Sequence, residues 1–319
     1  MPRSAVCSRA PAGVKEPRPR HGRRTRRGWC ARADGTLERV TTTAPPRKIV
    51  FLDVDGTYAD RGVVPPGHAA AVRAARAAGH RVLLCTGRPK AMLPERILAA
   101  GFDGLVASAG GYVELDGEVL VDQRFPADVA ARAIDVLDAA DAAYVLEAPG
   151  SLYGRPGVDR RLTALLRGHL RADGTDVDRP LDILDRLQMT DDVAGCSFAK
   201  ISYFGARVPW WDVAAQIGDR VGVLPSSVAA LGDGTGEVYL RGVHKAHGIT
   251  AVTERLGLLR EDVIAFGDGL NDVEMLAHAG TGVAIEGADP RVLEVADRVA
   301  AGPEQEGLVA AFAELGLTA

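Results

Sequence analysis

The sequence predicts an α/β protein: a doubly wound parallel core sheet of Rossmann type carrying an inserted α+β module. Three observations predict it. Short apolar runs recur without polar alternation, the first being Ile49-Val50-Phe51-Leu52, as strands buried on both faces require. Ala-rich stretches that stop at glycine lie between these runs, giving strand–helix alternation. The rhythm is interrupted from about 126 to 240, where helices mix with strands that read as antiparallel.

In chain order, Ile49–Leu52 is the first strand, with Pro45-Pro46-Arg47-Lys48 before it and Asp53-Val54-Asp55-Gly56-Thr57 after it. Gly67 to Ala78 is a helix stopped by Gly79, and Arg81–Cys85 is a second buried strand. Pro89 suits a first helical position, so one helix is predicted from there to Ala100, closed by Gly101. Leu105–Ala107 is a third strand. Tyr112–Leu115 and Glu118–Val121, joined by Asp116-Gly117, predict a hairpin with a primed turn. The module reads as a helix at Asp128–Ala140, strands at Tyr144–Glu147 and Ser151–Gly154, and a helix at Asp159–Leu170. A strand at Lys200–Phe204, a helix at Pro209–Ile217 and strands at Val228–Leu231 and Glu237–Leu240 complete it. Ala172–Asp192 gives no clear pattern. The alternation then resumes: helix Lys245–Leu256 stopped by Gly257, strand Val263–Phe266, helix Asn271–Ala279 ended by Gly280, strand Val283–Ile285, helix Leu308–Leu315. The expected domains are a core over 48–125 and 241–319, a cap over 126–240, and an N-terminal extension over 1–47.

The 319 residues are 47% hydrophobic and 25% charged, enough for a sizeable core, with aromatics scarce at 5%. Charge is uneven: residues 1–47 hold twelve Lys/Arg against three Asp/Glu, leaving 26 against 39 for the other 272. An acidic body that handles an anionic substrate needs local positive charge from a metal, a lysine or helix N-termini. The run Arg23-Arg24-Thr25-Arg26-Arg27 invites an export signal or a nucleic-acid arm, but Gly28–Asp34 is not the apolar segment an export signal needs. A disordered tail, or upstream sequence from an early start codon, is expected instead. Cys7, Cys30, Cys85 and Cys196 show no metal-ligand spacing and no stretch is long enough for a membrane span, so a reduced, cytoplasmic protein is expected, as monomer or homodimer.

Four stations carry the chemistry. Asp53 and Asp55 follow the first strand, at the sheet edge where open α/β folds bind ligands. Two carboxylates one residue apart there are costly without a cation between them, which implies Mg²⁺ and phosphate. Asp53 is placed to attack phosphorus, and Asp55 to protonate the leaving oxygen and then activate water. A calcium loop of D-x-D-x-D-G type fails, because Tyr58 stands where glycine is needed. Thr86-Gly87-Arg88 follows the second strand, offering a hydroxyl and backbone amides to phosphate oxygens; Arg88 is as well suited to a structural ion pair as to substrate. Lys245 opens a helix after the module and can neutralise phosphate and nucleophile together, although alone it reads as a surface lysine, and His244 and His247 as solvated. Gly267-Asp268-Gly269-Leu270-Asn271-Asp272 follows the strand Val263–Phe266. It places Asp268 to bind the metal, with Asp272 in support directly or through water, while Asn271 either donates to phosphate or caps the helix.

In order, placement and spacing the four stations resemble the haloacid-dehalogenase-like superfamily, specifically its Cof-like sugar-phosphatase branch with a type IIB cap. The resemblance spans about residues 48–319, and its most specific pieces are D-V-D-G-T and G-D-G-L-N-D. It implies Asp53 as nucleophile, Asp55 as general acid/base, and Thr86, Gly87, Lys245 and Asn271 around the phosphate. It further implies Mg²⁺ held by Asp53, the Asp55 carbonyl and Asp268, with Asp272 behind. Tyr58 stands where the family usually has Leu or Ile, and Ser108-Ala109-Gly110-Gly111 where an Asn-Gly pair is commoner.

A Mg²⁺-dependent phosphatase for small phosphorylated metabolites, sugar phosphates foremost, is therefore expected. A phosphomutase is the alternative within enzymes, and a non-catalytic polyanion binder using the Arg-rich tail is the outside one; membranes and nucleic acid are not expected partners. In the cap, Trp210 lies on the Val213, Ala214, Ile217 stripe, so Trp211, Tyr153 and Arg155 are the candidates for substrate contact.

Overall fold

The computed structural model describes residues 28–31, 37–40, 47–172, 181–226 and 231–318. Residues 1–46 and Arg47–Ala319 are separate units. Within the first, β1 (Gly28–Ala31) and β2 (Leu37–Val40) pair antiparallel; the Arg23–Arg27 run lies outside the described residues.

The second unit starts with β3 (Ile49–Leu52), whose four residues are fully buried. Val50 and Leu52 pack with α1 (Pro66–Ala77) and a C-terminal helix, whereas Ile49 and Phe51 pack on the opposite side. Burial on both faces is why the run lacks polar alternation. Next come β4 (Arg81–Cys85), α2 (Glu95–Leu98), β5 (Gly104–Ala107) and a hairpin of β6 (Tyr112–Leu115) and β7 (Glu118–Asp122). Asp116 and Gly117 take φ of 51° and 83°, as a primed turn demands.

The single helix expected from Pro89 to Ala100 is two short pieces, a 3₁₀ turn at Lys90–Met92 and α2. Pro94 breaks it: Leu93 before it is extended at φ −104°, ψ 91°, because the proline ring excludes the helical conformation there.

The segment expected as the cap builds a second sheet, with α3 (Ala127–Ala139), β8 (Ala143–Glu147), β9 (Leu152–Gly154), α4 (Val158–Ala172), α5 (Asp182–Asp185) and β10 (Leu187–Met189). After them come β11 (Lys200–Phe204), α6 (Trp210–Ile217), β12 (Val221–Pro225) and β13 (Gly236–Leu240). Its six strands run in the order β10-β9-β8-β11-β13-β12, antiparallel apart from the β9–β10 pair. The strand expected at Val228–Leu231 is instead β12, and residues 227–230 lie outside the described set. Gly222 and Pro225 disguise β12 as a loop. Pro225 is tolerated because β12 is an edge strand, and a β-carbon on Gly222 would strike the Tyr239 ring.

The core closes with α7 (Lys245–Leu256), β14 (Val263–Gly267), α8 (Val273–His278), β15 (Thr281–Ile285), α9 (Pro290–Val295), β16 (Arg298–Ala300) and α10 (Gly307–Glu314). The helix expected at Asn271–Ala279 begins as a 3₁₀ turn over Leu270–Asp272, and α9 and β16 have no counterpart among the predicted elements. The core sheet runs β16-β15-β14-β3-β4-β5-β6-β7, parallel from β16 through β5. Helices α1, α2 and α10 cover one face and α7, α8 and α9 the other. From β3 the chain winds outward through β4 and β5, then returns to build β14 on the other side of β3. That reversal makes the C-terminal ends of β3 and β14 the switch point of the sheet, where a crevice opens. Among the described residues, no helix is long and apolar enough to cross a membrane.

Candidate active site

Both acidic motifs emerge at this switch point. Leu52 pairs with Phe266 across β3 and β14, and Asp53 N donates to Phe266 O at 3.0 Å, so Asp53 and Asp268 leave the sheet side by side. The Asp53 loop folds back through Tyr58 N to Asp53 O (3.2 Å) and Ala59 N to Val54 O (2.8 Å), with Gly56 at φ 84°. A side chain on Gly56 would collide with the Asp268 carboxylate, so only glycine lets the two loops meet.

Lys245 is fully buried at the start of α7, and its Nζ donates to Asp53 Oδ1 and to Asp272 Oδ1, both at 2.5 Å. The start of α7 is held by the Ser108–Gly110 turn: Gly110, at φ 103°, rests against the His244 carbonyl, where a β-carbon has no room. Asp272 Oδ2 accepts from Asp268 N (3.1 Å) and Gly269 N (2.9 Å), which fixes the acidic loop. Thr57 Oγ1 donates to Asp268 Oδ1 at 2.7 Å, a support no motif reading singled out.

Electrostatics follow from this crowding. Burial pushes the Asp53 carboxyl well above its ordinary range; Lys245 pulls it back, and Asp272, Asp268 and Asp55 push it further. Burial lifts Asp268 to about 6, partly countered by the Thr57 hydrogen bond. Burial works against the Lys245 ammonium, yet Asp272 and Asp53 raise its pKa, so it stays charged. Oxygens of Asp53, Asp268 and Asp272 all lie within 4.8 Å of one another. Three converging carboxylates against one lysine form an all-oxygen, electron-rich donor set of the kind a hard divalent cation takes, so the residues fit Mg²⁺.

Thr86 is buried after β4, and its Oγ1 accepts from Arg88 N at 3.1 Å. Gly87 faces the acidic loop: a β-carbon there would lie 3.3 Å from Asn271 Nδ2. Asn271 thus sits beside the Thr86-Gly87 turn. Arg88 takes the ion-pair role. It grips Asp55 through Nε to Oδ2 (2.7 Å) and Nη2 to Oδ1 (2.6 Å), and reaches Asp182 of the cap through Nη1 at 2.9 Å. Asp182 also accepts from Arg96 at 2.5 Å, so one cap carboxylate ties down two arginines of the core. Asp182 falls in the stretch whose sequence shows no pattern. All eight predicted site residues lie at the C-terminal edge of the sheet. Trp211, Tyr153 and Arg155 do not approach them. Tyr153 and α6 pack on the α3-covered side of the cap sheet, and Arg155 is held by Asp138 and Tyr144.

A family model of haloacid dehalogenase-like hydrolases matches residues 50–312. The chain belongs to this family. As a haloacid dehalogenase-like hydrolase it is 26% identical over 275 residues to YkrA of Bacillus subtilis (strain 168), a candidate phosphatase, covering 85% of this chain and 98% of YkrA. A solved Geobacillus kaustophilus HTA426 protein is similar at TM-score 0.70 and 26% identity, over 85% of this chain and 99% of that one. The HAD subclass IIB sugar phosphatase BT4131 is similar at TM-score 0.67, over 85% and 99% of the two chains. At 22% identity that likeness shows the fold alone.

Proposed function

We propose that this hydrolase is a Mg²⁺-dependent phosphatase that cleaves small phosphorylated metabolites, sugar phosphates foremost, through an aspartyl-phosphate on Asp53. The observation that carries the reading is the Asp53–Lys245–Asp272 chain with Asp268 alongside, at the switch point of the sheet. A phosphate monoester brings about two negative charges near neutral pH, to a site where Lys245 is shared by Asp53 and Asp272 and Arg88 is taken up by Asp55. Mg²⁺, which Asp53, Asp268 and the Asp55 carbonyl would hold with Asp272 behind, supplies positive charge against the phosphoryl oxygens when bound.

The protein's own groups do the rest. Asp53 forms the new O–P bond as the bond to the leaving oxygen breaks, and Asp55, after exchanging the Arg88 guanidinium that here occupies both its oxygens for a proton, gives that oxygen its proton. Asp55 then takes a proton from the water that attacks phosphorus, returning Asp53 as a carboxylate. Thr86, through its hydroxyl, and Asn271 and the Gly87 amide orient the phosphoryl oxygens, so catalysis rests on positioning and charge. Asp272 has both oxygens engaged by Lys245 and backbone amides, which suits support of the site better than direct ligation. The cytoplasm, where Cys85 and Cys196 would stay as the free thiols they are here, completes the reading.

Free phosphate released from p-nitrophenyl phosphate and from hexose phosphates with Mg²⁺, and lost with a chelator, is the expected outcome. Isomerised sugar phosphate without free phosphate would select a phosphomutase instead.

A further inference from the structure

We propose that Glu147, Lys200, Ser202 and Glu237, on the core-facing side of the cap sheet, bind the leaving group and select uncharged polyhydroxylated alcohols over anionic ones. The inference rests on the phosphatase reading and deepens it. Its starting point is strand alternation. Leu146, Ile201, Tyr203 and Val238 point to the side packed by α3 and α6, whereas Val145 and Phe204 point to the other side, where α4, α5 and Ala91 and Met92 of the core pack. Glu147, Lys200, Ser202 and Glu237 share the parity of the second set. Register then assembles them: Lys200 stands opposite Glu147 across β8–β11, and Ser202 opposite Glu237 across β11–β13.

Lys200 is 2% exposed, with Nζ 3.3 Å from Glu147 Oε2 and 3.0 Å from Glu237 Oε2. Ser202 donates to Glu147 Oε1 at 2.5 Å. Glu147 is 1% exposed, and its Oε2 is met by the Lys200 ammonium. Two carboxylates and an ammonium set into a sheet face cost more than apolar side chains of similar size. A function that uses the cluster accounts for retaining it.

Location says which function. A β-carbon on Gly87 would lie 4.0 Å from Lys200 Nζ and 3.3 Å from Asn271 Nδ2, so the cap cluster begins where the phosphate-handling turn ends. Glu237 is the partly exposed member, which opens the cluster to the crevice. Carboxylates only accept and the ammonium only donates, and adjacent hydroxyls of one polyol can satisfy both at once. Burial raises the Glu147 carboxyl and Lys200 pulls it back; with both glutamates ionised the cluster is net negative, so a leaving group with a second phosphate or a carboxylate is repelled.

The test compares kcat/KM, with Mg²⁺, on p-nitrophenyl phosphate, glycerol 3-phosphate, glucose 6-phosphate and fructose 1,6-bisphosphate. Glu147→Gln and Lys200→Met should each lose about 10- to 100-fold more on the two singly phosphorylated polyols than on the aryl ester, the scale expected when a charged hydrogen-bond partner is removed. Should the buried substitutions prevent folding, seen as loss of the cooperative thermal transition, Glu237→Gln at the open rim gives the same comparison with a smaller ratio. Equal losses on aryl and polyol esters would mark a structural cluster and overturn the proposal, as would a wild-type preference for the bisphosphate. Failure of the phosphatase reading looks different: the wild-type protein would then turn over none of the four esters.

Discussion

Two lysines in this molecule sit between pairs of carboxylates, and the difference between them is instructive. Lys245 bridges Asp53 and Asp272 in the core, and Lys200 bridges Glu147 and Glu237 in the cap. The core trio is delivered by backbone: each member sits at or just beyond a strand end or helix start, held by Gly56, Gly110 and amide hydrogen bonds to Asp272. The cap trio is delivered by register, from three neighbouring strands whose alternate residues face one way. The first arrangement fixes atoms tightly enough for bond making. The second lays polar groups on a flat face, which suits reading a substrate's shape.

The sharpest way to break this contrast is to remove each lysine. Lys245→Met leaves Asp53 facing the substrate phosphate without its counter-charge, and kcat/KM should fall by about 10³-fold or more on every phosphate ester, aryl included. Lys200→Met should keep the marked dependence on leaving group described above. Comparable, ester-independent losses for both would erase the distinction.

That distinction also explains what was legible in the sequence. Asp53, Asp55, Thr86, Lys245 and Asp268 were readable because each follows a strand or opens a helix within a few residues, so local pattern fixes its place. Glu147 and Lys200 were not, because only pairing between β8 and β11 brings them together. The alternation in Lys200-Ile201-Ser202-Tyr203 was the one available signal. Asp182 was hidden for another reason: α5 has four residues and takes its importance from Arg88 and Arg96 of the core. The fold was read well where strands are buried on both faces, and poorly where Pro94 split a helix and where Gly222 and Pro225 masked an edge strand.

The next effect concerns the turn that supports Lys245. Gly110→Ala would push a methyl group into the His244 carbonyl and move the start of α7, so it should cost about 1–3 kcal/mol of stability together with much of the activity. Normal activity in that variant would show that the Ser108–Gly110 turn does not position the lysine.

A subtler effect is carried by pH. Asp268 has a pKa raised from the ordinary 3.8 to about 6, so its ionised form weakens the metal-free fold. The penalty is absent below about pH 4, grows as pH rises, and is complete above about pH 6. In chelator, Asp268→Asn should therefore gain thermal stability relative to wild type as pH rises through that window. Mg²⁺ at pH 7 should stabilise the wild type and not the variant. A gap that is flat with pH would show that Asp268 is not strained by burial.

The smallest effect is at Ala109, an alanine at φ 54° in the same turn. Ala109→Gly should raise stability by up to about 1 kcal/mol in chemical denaturation, since the left-handed conformation costs alanine and not glycine. No change would mean the turn relaxes in solution.

The most direct test of the central claim is a rapid acid quench during turnover of a phosphoryl-labelled ester with Mg²⁺, followed by mapping of the labelled peptide. Label on the peptide bearing Asp53, abolished in Asp53→Asn, is the expected result. Label on another residue, or steady turnover by Asp53→Asn, would contradict it.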